Sequence, residues 1–189
     1  DPLWSRGLGD VYKRQLVEML REPRTRREGF AVLVKQYSEK LYWKVRRIVL
    51  SHEDANDVLQ NVFIKVWSNL QNFQGKSSLS TWLYRIAVNE SLDFLRKQKL
   101  ADKVSADEDV SVASRLMSDE YFDGDEVQAR LQEAVARLPE VQRTVFNLKY
   151  FEEMKYSEMS QILNTSEGAL KASYHLAVKK ITEYLHLFD

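Results

Sequence analysis

The sequence contains no cysteine, which excludes disulfide scaffolds, thiolate zinc sites and cysteine nucleophiles. Chain breakers are scarce, with six glycines and three prolines in 189 residues, a composition that suits helices and not a fibrous or low-complexity chain. The three histidines, His52, His175 and His186, lie too far apart in sequence to suggest a metal cluster. No apolar run approaches the roughly 18 residues of a membrane span, and no signal-peptide-like apolar segment opens the chain. The expectation is a soluble, cytoplasmic protein with no catalytic residues, no metal, no cofactor and no membrane insertion.

An excess of one charge sign is missing as well, since 28 Lys and Arg balance 28 Asp and Glu. The sum hides the placement. Arg24–Arg47 holds eight basic and two acidic side chains, whereas Asp102–Glu126 holds nine acidic and two basic. This asymmetry points to basic surfaces masked in the total by one acidic segment.

Residues 1–15 include a proline and two glycines and show no helical period, so they read as a flexible arm or an extension foreign to the fold. Helical periodicity fills 16–99, with breaks near Ser51–Asp54 and Asn72–Ser78. Residues 100–126, acidic and serine-rich, lack the period of a packed element and read as a linker. Periodicity returns over 127–189. The fold class expected is all-α, two small helical domains joined by a flexible acidic tether.

In the second domain Val127, Leu131, Val135 and Leu138 share a helix face, and Pro139 fits the first turn of the next helix, which runs to about Tyr150. A short helix from a Ser157 cap to Leu163, with Met159, Ile162 and Leu163 inward, precedes a long one capped by Thr165 or Ser166 with Glu167 in its first turn. On that long helix Leu170, Tyr174, Ala177, Ile181 and Leu185 form one stripe, and Lys171, His175 and Lys179 lie opposite. This is a helix-turn-helix whose second helix enters the major groove. The same spacing equally describes ordinary solvated lysines.

In the first domain Ala55, Val58, Leu59, Val62, Phe63 and Val66 line an apolar face, leaving Asp57, Gln60, Ile64 and Trp67 opposite. An outward Ile and Trp beside polar anchors suggests a protein interface; spacing alone favours Trp67 packing within its own domain. Over Ser77–Lys99 apolar residues cover two flanks. A narrow stripe of Trp82, Arg85, Asn89 and Arg96 remains, chemistry suited to single-stranded nucleic acid. An ion-paired helix with Trp82 in the core fits equally. The preceding loop, Asn72 to Ser78, is polar and basic with one aromatic, which suits a pocket for a flipped base. Glu90 falls on the apolar side, with no partner evident from sequence.

These residues carry a family resemblance. The run Asp54-Ala-Asn-Asp57-Val-Leu-Gln60-Asn61-Val-Phe63-Ile64-Lys-Val-Trp67, followed by Phe73-Gln-Gly-Lys76-Ser77-Ser78-Leu-Ser-Thr-Trp82-Leu-Tyr-Arg85-Ile-Ala-Val-Asn89, resembles region 2 of the extracytoplasmic-function (ECF) sigma factors of bacterial RNA polymerase, in the sigma-70 family. Leu138-Pro139-Glu140 with Arg143, and Tyr156 to Leu163, resemble their region 4. The resemblance implies a promoter-specificity factor that binds core RNA polymerase at the β′ clamp and β flap and is held in check by an anti-sigma factor.

Residue by residue, it implies polymerase docking through Asp57, Gln60, Asn61, Ile64 and Trp67. It implies recognition and melting of the minus-ten element through Phe73, Lys76, Ser77, Ser78, Trp82, Arg85, Asn89 and Arg96. Reading of the minus-35 element would fall to Thr165, Ser166, Glu167, Lys171, Ser173, His175 and Lys179. The acidic linker would thread toward the RNA exit path. One departure stands out: the family's recognition helix usually reads Gly-Thr-Val-Lys-Ser-Arg with further arginines, whereas here it runs Gly168-Ala-Leu-Lys171-Ala-Ser173-Tyr-His175-Leu. An ordinary helix-turn-helix repressor or activator would not need the Arg85/Asn89 stripe or the Ile64/Trp67 patch. A helical enzyme finds no phosphate loop or nucleophile–base constellation. An adaptor that binds only protein remains as a further reading.

Overall fold

The computed structural model describes residues 3–75, 77–101 and 124–188, with side chains described for 11–75, 77–98 and 124–187. Among these residues there are eight α-helices and no strand: α1 Leu3–Arg21, α2 Arg26–Val49, α3 His52–Asn69, α4 Leu79–Ala101, α5 Glu126–Ala136, α6 Glu140–Phe146, α7 Tyr156–Leu163 and α8 Glu167–Leu185. Of the described residues, one compact unit takes those within Asp1–Val45 and Glu53–Ser91, and a second takes those within Arg46–His52 and Leu92–Asp189. The division falls inside α2 and α4, away from the boundaries expected near residues 99 and 127. Most of the expected linker, residues 102–123, lies outside the described residues.

In the first unit, residues expected to form an irregular arm instead continue a helix back to Leu3, and the second half of α1 buries Leu16 and Leu20. The end of that helix exposes carbonyls that need partners. Side chains at the start of α2 supply them: Thr25 Oγ1 donates to Met19 O at 3.0 Å and Arg26 donates to Leu20 O at 3.0 Å and Arg21 O at 3.1 Å. Part of the basic run therefore serves the fold; Arg46, in the second unit, is likewise buried. Gly29 allows α1 and α2 to meet, since a Cβ there would lie 2.9 Å from Met19 Cβ. The α2–α3 turn passes through Leu50 at φ 69°, the break expected near Ser51.

In the second unit α8 packs against α5, α6 and α7. Its core joins Ala134, Val135, Leu138, Phe146, Ala177 and Ile181, with Leu131, Phe151, Tyr174, Tyr184 and Leu185 around them. Asp125 caps α5, accepting from Gln128 N at 2.9 Å. Arg143 closes the other end of α5 by donating to Ala136 O and Leu138 O, both at 3.3 Å. Pro139 sits one residue outside α6, as its N-cap, and the chain expected to stay α-helical to Tyr150 widens into a π-helical turn over Asn147–Phe151. Ser157 does not cap α7; the cap is Lys155, and Ser157 lies within the first turn.

Two glycines make opposite predictions. Gly29→Val should lower stability by about 1–3 kcal/mol through overpacking against Met19. Gly168→Ala, where a Cβ meets nothing within 4 Å, should raise it by under about 1 kcal/mol. Urea unfolding of both variants checks the pair.

Candidate nucleic-acid and protein interfaces

The three regions singled out by sequence each depend on which way a helix is turned. In α3 the small buried residues Ala55, Val58, Val62 and Val66 set the rotation. Asp57, Gln60, Asn61, Ile64 and Trp67 consequently share an exposed face, with Ile64 at 65% and Trp67 at 45% exposure. Phe30 of α2 meets Trp67 edge-on at 5.0 Å and Phe63 at 6.4 Å. Trp67 thus packs on Phe30 of its own unit and is left 45% exposed. An anchored, half-open aromatic loses little side-chain freedom on binding, the usual character of a hot spot.

The α4 region differs more from expectation. Phe73 is 7% exposed and packs against Trp82 with ring centroids 5.0 Å apart, so it forms the floor of the loop and offers no open ring face for stacking. Lys76 lies outside the described residues. Ser77 is half-buried. Ser78 is engaged as a cap of α4, its Oγ accepting from Thr81 N at 3.2 Å and lying 2.9 Å from the Thr81 hydroxyl. Gly75 takes φ +69°, a conformation that side chains oppose. Beside this loop is a pocket of about 360 Å³, whose lining includes Arg21, Tyr37, Phe73, Gly75, Ser77 and Ser80.

Along α4, Trp82 and Arg85 are half-buried, and among residues 79–95, all described, Asn89 alone is exposed. This agrees with a helix covered on more than one flank. Arg96 is exposed and pairs with Asp93 at 3.2 Å on the same helix, a surface contact of small energetic weight. The sequence left Glu90 without a partner; it accepts a hydrogen bond from Lys65 of α3. Glu90 is thus a tie between two helices, a pairing 25 residues apart that periodicity does not reveal.

The helix-turn-helix forms as the spacing predicts. Asn164 ends α7 in the left-handed region at φ 50°, ψ 46°. Thr165 Oγ1 donates to Leu163 O at 3.1 Å, and Ser166 Oγ caps α8 by accepting from Ala169 N at 3.2 Å. Both hydroxyls are thereby occupied in shaping the turn. Leu170, Ala177 and Ile181 face inward with Tyr174 and Leu185 partly covered, while Glu167, Lys171, His175 and Lys179 are exposed and Ser173 is half-buried on the flank. Lys171 Nζ lies 5.6 Å from the Tyr156 ring and Lys149 Nζ 4.7 Å, a small cationic group at the start of α7 and α8. Sequence reading missed Leu176 and Val178, exposed at 47% and 38% on α8. The signal was the break in the usual arginine pattern. No group of three or more metal-ligating side chains and no helix able to cross a membrane occurs among the described residues.

A helical unit with an outward apolar and amide face and, in the same chain, a helix-turn-helix with a basic outer helix define an all-α protein of the helix-turn-helix class. Residues 33–101 match the family Sigma-70 region 2, and residues 128–181 match Sigma-70, region 4. The ECF sigma factor SigW of Bacillus subtilis (strain 168) is 32% identical over 157 residues, covering 78% of this chain and 84% of that protein. The RNA polymerase sigma-H factor of Pseudomonas aeruginosa is 30% identical over 181 residues, covering 91% and 93%. The sigma factor RpoE of Bartonella quintana, solved with the anti-sigma factor NepR, has the same fold at a TM-score of 0.66, 20% identity and coverage of 83% of this chain and 96% of that one. The chain belongs to the sigma-70 family of RNA polymerase sigma factors, in its ECF group.

Tyr37, buried beside the loop pocket and hydrogen-bonded to the Ser80 side chain, has its pKa raised above 10.0 by burial, with the Ser80 bond opposing; burial also raises Tyr174 and Tyr184. Below pH 10 these phenols are neutral folded and unfolded. Above it the unfolded chain ionises first, so stability should fall as pH rises from 10 through the folded-state values. Tyr37→Phe should make that fall shallower, measured by urea unfolding between pH 8 and 11.

Proposed function

We propose that this sigma factor divides its work among the three faces described above. The exposed α3 face, Asp57, Gln60, Asn61, Ile64 and Trp67, docks on core RNA polymerase at the β′ clamp. The observation that carries this is the outward Ile64 and half-open Trp67 on a helix whose opposite side is filled by valines. An exposed isoleucine beside amides is stabilised by a protein partner and not by water.

The pocket at the Phe73–Ser80 loop, with Asn89 and Arg85 one turn apart on α4, takes the minus-ten element as a melted strand. Ser77 and Asn89 are the polar contacts, and the Phe73–Trp82 pair is the support beneath them. On α8, Lys171, His175 and Lys179 face the minus-35 duplex and Ser173 reaches it from the flank. Thr165, Ser166 and Glu167 act through the turn and the helix start, where a phosphate is favoured by the N-terminal amides. The β flap engages the second unit, and residues 102–123 supply the acidic connection between the promoter-reading parts. The RpoE–NepR structure supports an anti-sigma partner for this chain too.

Run-off transcription with purified core polymerase and a promoter library tests the reading; promoter-specific transcripts are expected, and their absence with folded protein would refute it. Ile64→Ala should weaken core binding by more than about 1 kcal/mol while moving folding stability by less than about 0.5 kcal/mol. Binding titrations and thermal melts measure the two. Lys171→Ala should lower the salt slope of minus-35 duplex binding by about one unit, read from affinities across a salt series.

A further inference from the structure

The outer face of α8 carries small and apolar side chains, Gly168, Ala172 and Leu176, among the polar residues already placed toward the minus-35 duplex. Gly168, Ala172, His175, Leu176 and Lys179 are exposed on the side opposite Leu170, Ala177 and Ile181, with Lys171 beside them. No arginine occurs anywhere between Glu167 and Leu185. An arginine reads guanine through two hydrogen bonds; a leucine has none to give. The apolar group that a base pair presents in the major groove is the C5 methyl of thymine.

Three features of the face suit that contact. Leu176 is nearly half exposed, and Lys179 and Lys180 lie three and four residues further along the same helix, so charge draws this apolar spot toward phosphates. Gly168, Ala169 and Ala172 are exposed and small, which lets the helix backbone sit deep in a groove. Packing within the chain does not demand the glycine, since a Cβ at Gly168 would meet nothing within 4 Å. Ala172 and Leu176 are four residues apart on one face, about 6 Å along the axis, which spans about two base-pair steps.

We infer that Ala172 and Leu176 are specificity-determining residues that read thymine methyl groups, so that the upstream element of this factor carries thymine where an arginine-bearing helix would take guanine. The inference rests on α8 entering the major groove of the minus-35 element.

The test uses the full chain assembled with core polymerase. The holoenzyme selects promoters from a library randomised over the upstream element, and each selected thymine is then replaced by deoxyuridine, which removes only the methyl. Thymine enrichment is expected, with binding weakened about fourfold for each methyl that is read. Holoenzyme with Leu176→Ala should bind thymine and deoxyuridine versions of the site at Leu176 alike, and Leu176→Arg should shift the selected base there toward guanine. Leu176 is partly exposed, and thermal melts confirm that both variants remain folded.

Three results would overturn the inference: selection of guanine with no effect of deoxyuridine, equal methyl discrimination by wild type and Leu176→Ala, or a Leu176→Ala defect confined to core-polymerase binding, which would make this leucine a protein contact. Failure of the wild-type holoenzyme to select any promoter would refute the sigma reading itself and the inference with it.

Discussion

The rotation of two helices about their own axes governs what this protein presents to its partners, and in each case a narrow buried stripe sets it. In α8, Leu170, Ala177 and Ile181 are at most 6% exposed, and Ala177, having only a methyl, lets the helix approach α5 and α6 closely. In α3, Val58, Val62 and Val66 play the same part. A turn of either helix by one position would expose about one large apolar side chain per turn and bury a charged or amide one, at a combined cost of several kcal/mol. The outward faces are therefore as fixed as the cores.

Polar and charged side chains divide into those that shape the backbone and those that face outward. Ser78, Thr165 and Ser166 spend hydroxyl groups on turns and caps, while Arg26 and Arg143 close helix ends. Asn89, His175 and Lys179 are exposed instead. The whole-chain charge of zero conceals a similar division. The basic run between Arg24 and Arg47 is partly structural, with Arg26 on the carbonyls of α1 and Arg46 buried.

Features that repeat at helical spacing were legible in the sequence. The α8 stripe, the α3 apolar face, the Asn164–Ser166 turn and the doubly covered α4 all follow from periodicity and cap chemistry, and the long ordered motifs sufficed for the family. What escaped depends on partners outside the helix whose pattern is being read. The Lys65–Glu90 tie, the Phe73–Trp82 packing and the Thr25 and Arg26 caps on α1 are contacts between elements, and a single helix's pattern carries no trace of them. The helical course of α1 escaped because two glycines disguise its period. Leu176 was passed over because the family's arginines directed attention to charge.

Because the chain has no cysteine of its own, single cysteines can report which faces are open and what covers them. Placed one at a time at Ile64, Trp67, Ala172, His175, Leu170 and Ala177, they can be labelled with a maleimide in the free protein, in holoenzyme and in holoenzyme on promoter DNA. Positions 64, 67, 172 and 175 should label readily in the free chain, and 170 and 177 should not. Core polymerase should protect 64 and 67, and promoter DNA should further protect 172 and 175. Protection of 172 and 175 unchanged by DNA, with 64 and 67 still labelling in holoenzyme, would show that these faces do not meet polymerase and promoter.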